Sequence, residues 1–194
     1  MDIINKYIIK IIIITIFDGI SIIYLNKYTE NNNDKPLNDI IHIISDKYFK
    51  INKTLLIIKD ILCFLPLLYM IYKHPIFICK YIDAYIILRL LKNIFCWITI
   101  LPIIKRRKNI NSLSDICCLD IGGNHDLMFS GHIILLLTGI LSYMKYYNKN
   151  INIYIIFYLL ITSIIVIITK SHYSIDVLTS YFVTYSVFKY KNLI

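Results

Sequence analysis

Two short stretches decide the interpretation of this sequence: Asp126-Leu-Met-Phe-Ser-Gly-His132 and, further along the chain, Ser171-His-Tyr-Ser-Ile-Asp-Val177. Each stretch places a histidine at the start of a long apolar run. Each run has the composition of a membrane helix. If both helices begin at the same face of a bilayer, the two histidines and Asp176 meet there. The sequence therefore predicts one polar site at one end of a helical bundle.

The overall composition is typical of a polytopic membrane protein. Of the 194 residues, 58% are hydrophobic, and the mean hydropathy is +0.65, which is more apolar than an ordinary soluble domain. The formal net charge is +9, and most of the basic residues lie between apolar runs, where they are expected to contact lipid headgroups. No nucleic-acid recognition motif is present, so nucleic acid is not an expected partner.

The cysteines indicate neither a disulfide framework nor a metal site. Cys63, Cys79 and Cys96 lie within apolar runs and are interpreted as packing residues, whereas Cys117 and Cys118 are adjacent in a loop. No metal-ligand spacing such as CxxC is present. We therefore expect no metal and no other cofactor.

Six apolar runs fit the ~20 residues that a helix needs to cross the hydrocarbon of a bilayer. The first run lacks the small-residue cleavage site of a signal peptide, so it is interpreted as an uncleaved helix. The sequence predicts an all-α, multi-pass membrane bundle of roughly six helices that forms a single domain over residues 1–194. The predicted spans are residues 3–25, 55–79, 81–104, 131–147, 151–169 and 172–188.

The order of these spans brings the histidines together. In an even zigzag, the loops after the first, third and fifth spans share one face, and both His132 and His172 border that face. The Lys/Arg distribution differs too little between the two faces to fix the orientation. Within the second span, Lys73-His-Pro75 is an alternative end in the form of a tight turn.

The loop over residues 26–54 contains a recognisable sequence pattern. It contains the turn-rich stretch Asn31-Asn-Asn-Asp-Lys-Pro36. After this stretch, apolar residues recur at helical spacing, which predicts a short amphipathic helix on the membrane surface. These apolar residues are Leu37, Ile40, Ile41, Ile44 and Tyr48.

Several ionisable residues interrupt the apolar runs. Asp18 lies in the first span and is costly unless it is paired or close to the interface. Asp83, Arg89 and Lys92 share the third span, and we expect them to face a cavity or each other.

The two histidine stretches suit phosphoryl transfer. His172 and Asp176 are spaced i, i+4, so a carboxylate next to one ring nitrogen would leave the other as a nucleophile or base. His132 begins its own helix, where free N–H groups favour phosphate, and Gly131 permits close backbone approach. A second histidine can protonate a leaving oxygen. Arg89 and Lys92 could neutralise charge on the phosphoryl oxygens.

Each of these features also has an ordinary structural interpretation. A lone interfacial histidine such as His42 or His74 is usually just tolerated there. A His-Asp pair at i, i+4 is often a structural hydrogen bond, and Ser-Gly-His is a common tripeptide. The combination of these features at one membrane face is what indicates a site.

Phe129-Ser-Gly-His132 followed by His172-x-x-x-Asp176 resembles the membrane phosphatidic acid phosphatase type 2 (PAP2-like) superfamily. More narrowly, the sequence is similar to the branch of sphingomyelin, inositol-phosphorylceramide and ethanolamine-phosphorylceramide synthases. That branch carries motifs that match Asp126 to His132 and His172 to Val177. The resemblance implies a PAP2-like catalytic core over about residues 81–190, with residues 26–54 as a membrane-surface loop.

Two weaker motifs of the same branch agree with this resemblance. Pro36-Leu-Asn-Asp39 matches a motif of its first loop. At the end of the third span, Thr99, Leu101 and Pro102 match, but Lys92 replaces an arginine, and a lysine lacks the bidentate fork. The Ser-Arg pair of the generic phosphatases is also absent, since Ile165 and Val166 occupy its places, which favours the synthase branch.

The resemblance implies a role for each site residue. His172 would attack phosphorus and form a phosphohistidine, Asp176 would orient it, and His132 would first protonate the departing diacylglycerol oxygen and then activate a ceramide hydroxyl. The residues expected to bind substrate or phosphate are Asp126, Ser130, Gly131, Lys92, Arg89 and Tyr173.

Three hypotheses follow from the sequence. The first is a lipid phosphotransferase in an endomembrane or the plasma membrane, whose partners are a phospholipid donor, a ceramide or diacylglycerol acceptor and the bilayer. The second is a PAP2-type lipid phosphate phosphatase with water as acceptor. The third is a non-catalytic, lipid-binding homologue. The sequence leaves the headgroup, the face that carries the site and the oligomeric state open.

Overall fold

The computed structural model describes residues 2–29, 37–49, 53–99 and 128–194. Every regular element within these ranges is an α-helix, so the predicted all-α class is confirmed for them. The helices are α1 (Asp2–Thr29), α2 (Ile40–Tyr48), α3 (Lys53–Lys73), α4 (Pro75–Ile98), α5 (Gly131–Tyr146), α6 (Ile153–Ile168) and α7 (Ser174–Tyr190).

The boundary between the second and third predicted spans requires a correction. The span expected over 55–79 ends at Lys73, and the next helix begins at Pro75 rather than at residue 81. Proline fits the first helical position because its missing N–H has no partner there in any case. The tight turn at Lys73-His-Pro75 is therefore the observed boundary. The predicted end of the third span at 104 lies outside the described residues.

Polar side chains begin two of the later helices. The Ser130 hydroxyl accepts a hydrogen bond from the Ile133 N–H at 3.4 Å, and the Asn152 side chain accepts one from the Ile155 N–H at 3.0 Å. Each satisfies a backbone donor that the first turn of a helix leaves without a partner. The starts of α5 and α6 are thus set by local sequence.

Contacts between helices define two ends of the bundle. At one end, His74 between α3 and α4 lies 2.8 Å from the Tyr147 hydroxyl after α5. At the other end, Asp60 in the second turn of α3 lies 3.0 Å from His132 in the first turn of α5. The helices α3 and α5 therefore run parallel to each other, and the histidine motifs lie at the end opposite His74.

Aromatic side chains gather at the end that carries His74. The His74 ring stacks on Tyr146 with centroids 3.6 Å apart, and Phe77 and Tyr143 extend the cluster. Such clusters are typical of the level of lipid headgroups, where an aromatic ring with a polar edge is favourable.

The outer faces of the bundle are apolar. Ile13, Leu65 and Leu160, on α1, α3 and α6, are all more than half exposed. Exposed apolar surface of this extent marks contact with a membrane or another protein. Within the described residues, α1 (Asn5–Leu25) and α3 (Thr54–Lys73) are long and apolar enough to cross a membrane, and α6 is apolar but shorter. That six helices of this chain cross the membrane remains a prediction.

The closest helix packing occurs where α5 crosses α3. A Cβ atom added at Gly139 would lie 2.6 Å from the Pro66 carbonyl carbon and would also collide with the Leu67 nitrogen. Real Cβ atoms do not approach backbone atoms so closely, so glycine is what permits the two helices to touch. This contact fixes the separation of α3 and α5 midway along the bundle.

We predict that Gly139→Ala destabilises the bundle. Helix propensity alone would raise stability by about 1 kcal/mol. The backbone clash should instead cost about 1–3 kcal/mol and lower the midpoint of thermal unfolding in detergent. Ile161→Ala, on the exposed face of α6, is the control and should shift the midpoint little. A Gly139→Ala variant as stable as the unmodified chain would contradict the packing described here.

Candidate functional site

The two histidines of the motifs are neighbours in space. His132 lies in the first turn of α5, and His172 lies two residues before α7. Their ring centroids are 6.1 Å apart and their planes are inclined by 70°. A serine holds the two segments together, since the Ser180 hydroxyl accepts a hydrogen bond from the Ser130 N–H at 2.6 Å and lies 2.7 Å from the Asp176 carbonyl. Sequence reasoning did not single out Ser180.

The end of α6 sets the direction of the chain into His172. Lys170 has a φ of 55°, its N–H bonds to the Ile167 carbonyl at 2.8 Å, and the Ser171 N–H bonds to the Val166 carbonyl at 3.3 Å. This is a Schellman motif with lysine in the left-handed position that glycine usually occupies. It turns the chain sharply, so that His172 points back toward α5.

His172 and Asp176 form a buried pair. The His172 Nδ1 lies 3.7 Å from Asp176 Oδ2, a distance suited to an ion pair but longer than a hydrogen bond. The same carboxylate oxygen accepts the Tyr173 N–H at 3.0 Å. This backbone bond fixes the carboxylate beside the imidazole. The expected proximity of His172 and Asp176 is observed, but His172 precedes α7 instead of lying within it, and the contact is longer than the expected hydrogen bond.

His132 has a carboxylate of its own. Its Nε2 lies 3.0 Å from Asp60 Oδ1 in α3. The ammonium of the buried Lys59 lies 3.2 Å from the same oxygen and donates to the Ser171 hydroxyl at 3.2 Å. Lys59 and Asp60 fall near the start of the span predicted over residues 55–79, but no role was predicted for them from the sequence. The available signal was a pair of adjacent charges inside an apolar run.

The two cations expected at the phosphate lie at the start of α5. A Cβ at Gly131 would collide with the Arg89 guanidinium and would lie 3.6 Å from Lys92 Nζ. Glycine therefore makes room for the Arg89 guanidinium beside a helix N-terminus, with the Lys92 ammonium in ordinary contact distance of the same point. Lys92 is buried. The expected pairing of Asp18 is observed, since Arg89 binds its carboxylate at 2.5 and 2.8 Å.

The third ionisable residue of α4 behaves differently from the prediction. Asp83 pairs with residues of α1 instead of with Arg89 or Lys92. It accepts from Lys10 at 2.5 Å and from the Tyr7 hydroxyl at 2.8 Å, both on α1. The reason is geometric: Asp83 lies nearly two helical turns before Arg89, toward the end of the bundle away from the histidines.

The remaining predicted site residues have structural partners or lie outside the described part. Ser130 caps α5, and the buried Tyr173 accepts the Leu37 N–H at 3.0 Å through its hydroxyl. Asp126 lies outside the described residues, as do Leu101, Pro102, Cys117 and Cys118. Within the described ranges, no group of three or more histidine, cysteine or acidic side chains is arranged to hold a metal ion.

The loop residue Asp39 connects α2 to the site. Its carboxylate accepts the Ser174 N–H at 2.6 Å and the Ser174 hydroxyl at 3.0 Å. It also caps α2 through the Ile41 N–H at 3.0 Å. Desolvation opposes ionisation of this carboxyl group, but the hydrogen bonds from Ser174 and the nearby His42 outweigh it and hold the pKa of Asp39 below its usual value.

This lowered pKa predicts a pH-dependent contribution to stability. The ionised form contributes fully above the unfolded value of about 3.9, and the contribution is lost as pH falls through the lower folded value. Asp39→Asn should therefore lower the unfolding midpoint at pH 7, and its difference from the unmodified chain should shrink toward pH 3. Asn38→Ala, at the exposed neighbouring position, is the control. A difference that stays constant with pH would contradict this role.

Comparison with known proteins bears on the segment that holds both histidines. Residues 125–193 match the family described as PAP2 superfamily C-terminal. No curated protein matches the chain, and no solved structure does. The match supports the PAP2-like superfamily for this segment, and with it an enzyme of the lipid phosphatase or phosphotransferase type that is associated with a membrane.

Proposed function

We propose that this chain is a membrane lipid phosphotransferase that resembles sphingomyelin synthase. It moves a phospho-headgroup from a glycerophospholipid to ceramide through a phosphohistidine at His172. One observation carries the proposal: the two histidine rings lie 6.1 Å apart, and each has a carboxylate beside it, Asp60 for His132 and Asp176 for His172. A nucleophile and a proton donor are thus neighbours at one end of the bundle, each beside an acidic side chain.

In the first step, His172 is the nucleophile. Asp176 lies on the Nδ1 side of the ring, so a proton on Nδ1 leaves Nε2 to form the N–P bond. The P–O bond to diacylglycerol breaks at the same time. His132, protonated at the start of this step, donates its proton to the departing oxygen. The products are free diacylglycerol and a phospho-headgroup on His172.

In the second step, His132 acts as the base. It takes the proton of a ceramide hydroxyl, whose oxygen attacks phosphorus, and the N–P bond to His172 breaks. This step restores both histidines to their starting protonation states. Asp60 holds the His132 ring through Nε2 at 3.0 Å and stabilises its charged form, as a carboxylate beside a catalytic imidazole does.

Positive charge around the site stabilises the phosphoryl oxygens. Arg89 and Lys92 flank Gly131 at the start of α5, where the free N–H groups of the helix also favour an anion. The Lys59 ammonium, on α3, lies next to Ser171 and Asp60. Preorganised donors of this kind are most effective where water is excluded, and His172 is buried.

The test is turnover in reconstituted vesicles with a headgroup-labelled glycerophospholipid and ceramide, with products separated by chromatography. The unmodified chain should form a labelled phosphosphingolipid. His172→Ala, His132→Ala and Asp176→Asn should each reduce this product at least about 100-fold, the contribution typical of acid–base and nucleophilic groups. His74→Ala, a histidine at the opposite end of the bundle, is the matched control and should retain activity.

Two outcomes would overturn this function. Normal transfer in His172→Ala would remove the nucleophile from the mechanism. Release of inorganic phosphate from a lipid phosphate donor, with no new phospholipid, would instead establish water as the acceptor and the enzyme as a phosphatase.

Asp60 generates a separate prediction. Because its carboxylate touches His132 rather than the lipid in the mechanism above, Asp60→Asn should lower kcat by about 10²-fold or more and change KM little. Asp83→Asn removes a carboxylate from the other end of the bundle and should leave kcat unchanged. Equal losses in the two variants, or an unchanged kcat in Asp60→Asn, would show that Asp60 has only a structural role.

A further inference from the structure

The short helix α2 buries two polar side chains and exposes three isoleucines. His42 and Ser45 are buried, with exposed fractions of 7% and 2%. Ile40, Ile43 and Ile44 are exposed by 73%, 60% and 50%. A helix on the surface of a soluble protein has the opposite arrangement. The outer face of α2 therefore fits an apolar environment.

The inner face of α2 and the residues just before it hold the His172 segment. The His42 Nε2 lies 3.1 Å from the His172 carbonyl oxygen. The Asp39 carboxylate accepts two hydrogen bonds from Ser174, and the Leu37 N–H donates to the Tyr173 hydroxyl. Three consecutive residues around the nucleophile are thus bonded to this one short segment.

The C-terminal end of α2 carries residues suited to lipid headgroups. Tyr48 is largely exposed, and the Lys47 ammonium lies 5.2 Å from its ring centroid. Tyrosine and lysine are characteristic of the boundary between headgroups and acyl chains. Nine residues of helix span only about 14 Å, which is too short to cross a bilayer. A position in the plane of the interface fits both the length and the composition.

We propose that α2 is an interfacial helix whose isoleucine face inserts into the bilayer, and that this insertion holds the His172 segment in its active position. The partner of this surface is lipid rather than a second copy of the chain. The exposed face of α2 is rich in isoleucine, as are the outer faces of α1 and α3. The helices α1 and α3 are long and apolar enough to cross a membrane. His42 is then a positioning residue that acts through the His172 backbone.

Insertion can be measured without any turnover, using a single tryptophan. Trp97→Phe removes the native tryptophan, and Ile43→Trp places a new one on the outer face of α2. In vesicles that contain phospholipids brominated on their acyl chains, its fluorescence should be quenched at least about threefold more than that of Lys149→Trp in the same background. Lys149 lies in the exposed polar turn between α5 and α6, and quenching requires contact with acyl chains.

Absence of quenching at residue 43 would overturn insertion. If cross-linking then captured pairs of chains through α2, the occupant of this face would be a second copy. Because this readout involves no lipid chemistry, it distinguishes failure of the interfacial helix from failure of the proposed phosphotransferase.

The coupling to His172 rests on the proposed function and is tested by conservative replacement. His42→Phe keeps an aromatic ring but lacks the donor for the His172 carbonyl, and it should lower kcat about tenfold with little change in KM. His42→Gln keeps an N–H donor and should restore most of the rate. A purely structural role would give no such rescue, and equal activity in both variants would overturn the coupling.

Discussion

An ionisable side chain among apolar helices must find a partner, and this constraint governs the whole structure. The cost of an uncompensated charge in such surroundings is several kcal/mol. Charged residues of α1, α3 and α4 accordingly meet partners across helix interfaces: Asp18 with Arg89, Asp83 with Lys10, and Asp60 with His132. Each pair fixes the relative depth of two helices, and two of these groups border the candidate site.

The same need for partners, applied to backbone polar groups, explains why the site lies at one end of the bundle. Backbone N–H groups at helix starts lack partners within the helix. Here the side chains of Ser130, Asp39 and Asp176 accept hydrogen bonds from such groups. These three residues cap or flank the segments that carry the histidines. Gly131 leaves space for Arg89 beside the first turn of α5, and Lys92 lies close by. Helix starts, cations and imidazoles therefore converge on a region suited to an anion.

Sequence reasoning reached the helices, the two histidines and Asp176, but it missed Asp60 beside His132 and the contact of His42 with the His172 backbone. The positions of His132 and His172 followed from alternation of the spans, which needs no knowledge of side-chain contacts. Asp60 and His42 could not be assigned in this way, because their partners are far away in the chain. Long isoleucine-rich runs have no polar face, so helical periodicity could not show which side of α3 points inward. For the same reason the boundary at Pro75 was placed too late.

The central claim is that His172 accepts the phospho-headgroup while His132 moves the proton. The most direct measurement is mass-spectrometric peptide mapping after the chain has been incubated with a glycerophospholipid donor but without acceptor, under conditions that preserve acid-labile phosphohistidine. The account predicts a phospho-headgroup on His172, which accumulates in the absence of ceramide and disappears when ceramide is added. A modification on His132 instead, or product formation with His172 unmodified at every time point, would contradict it.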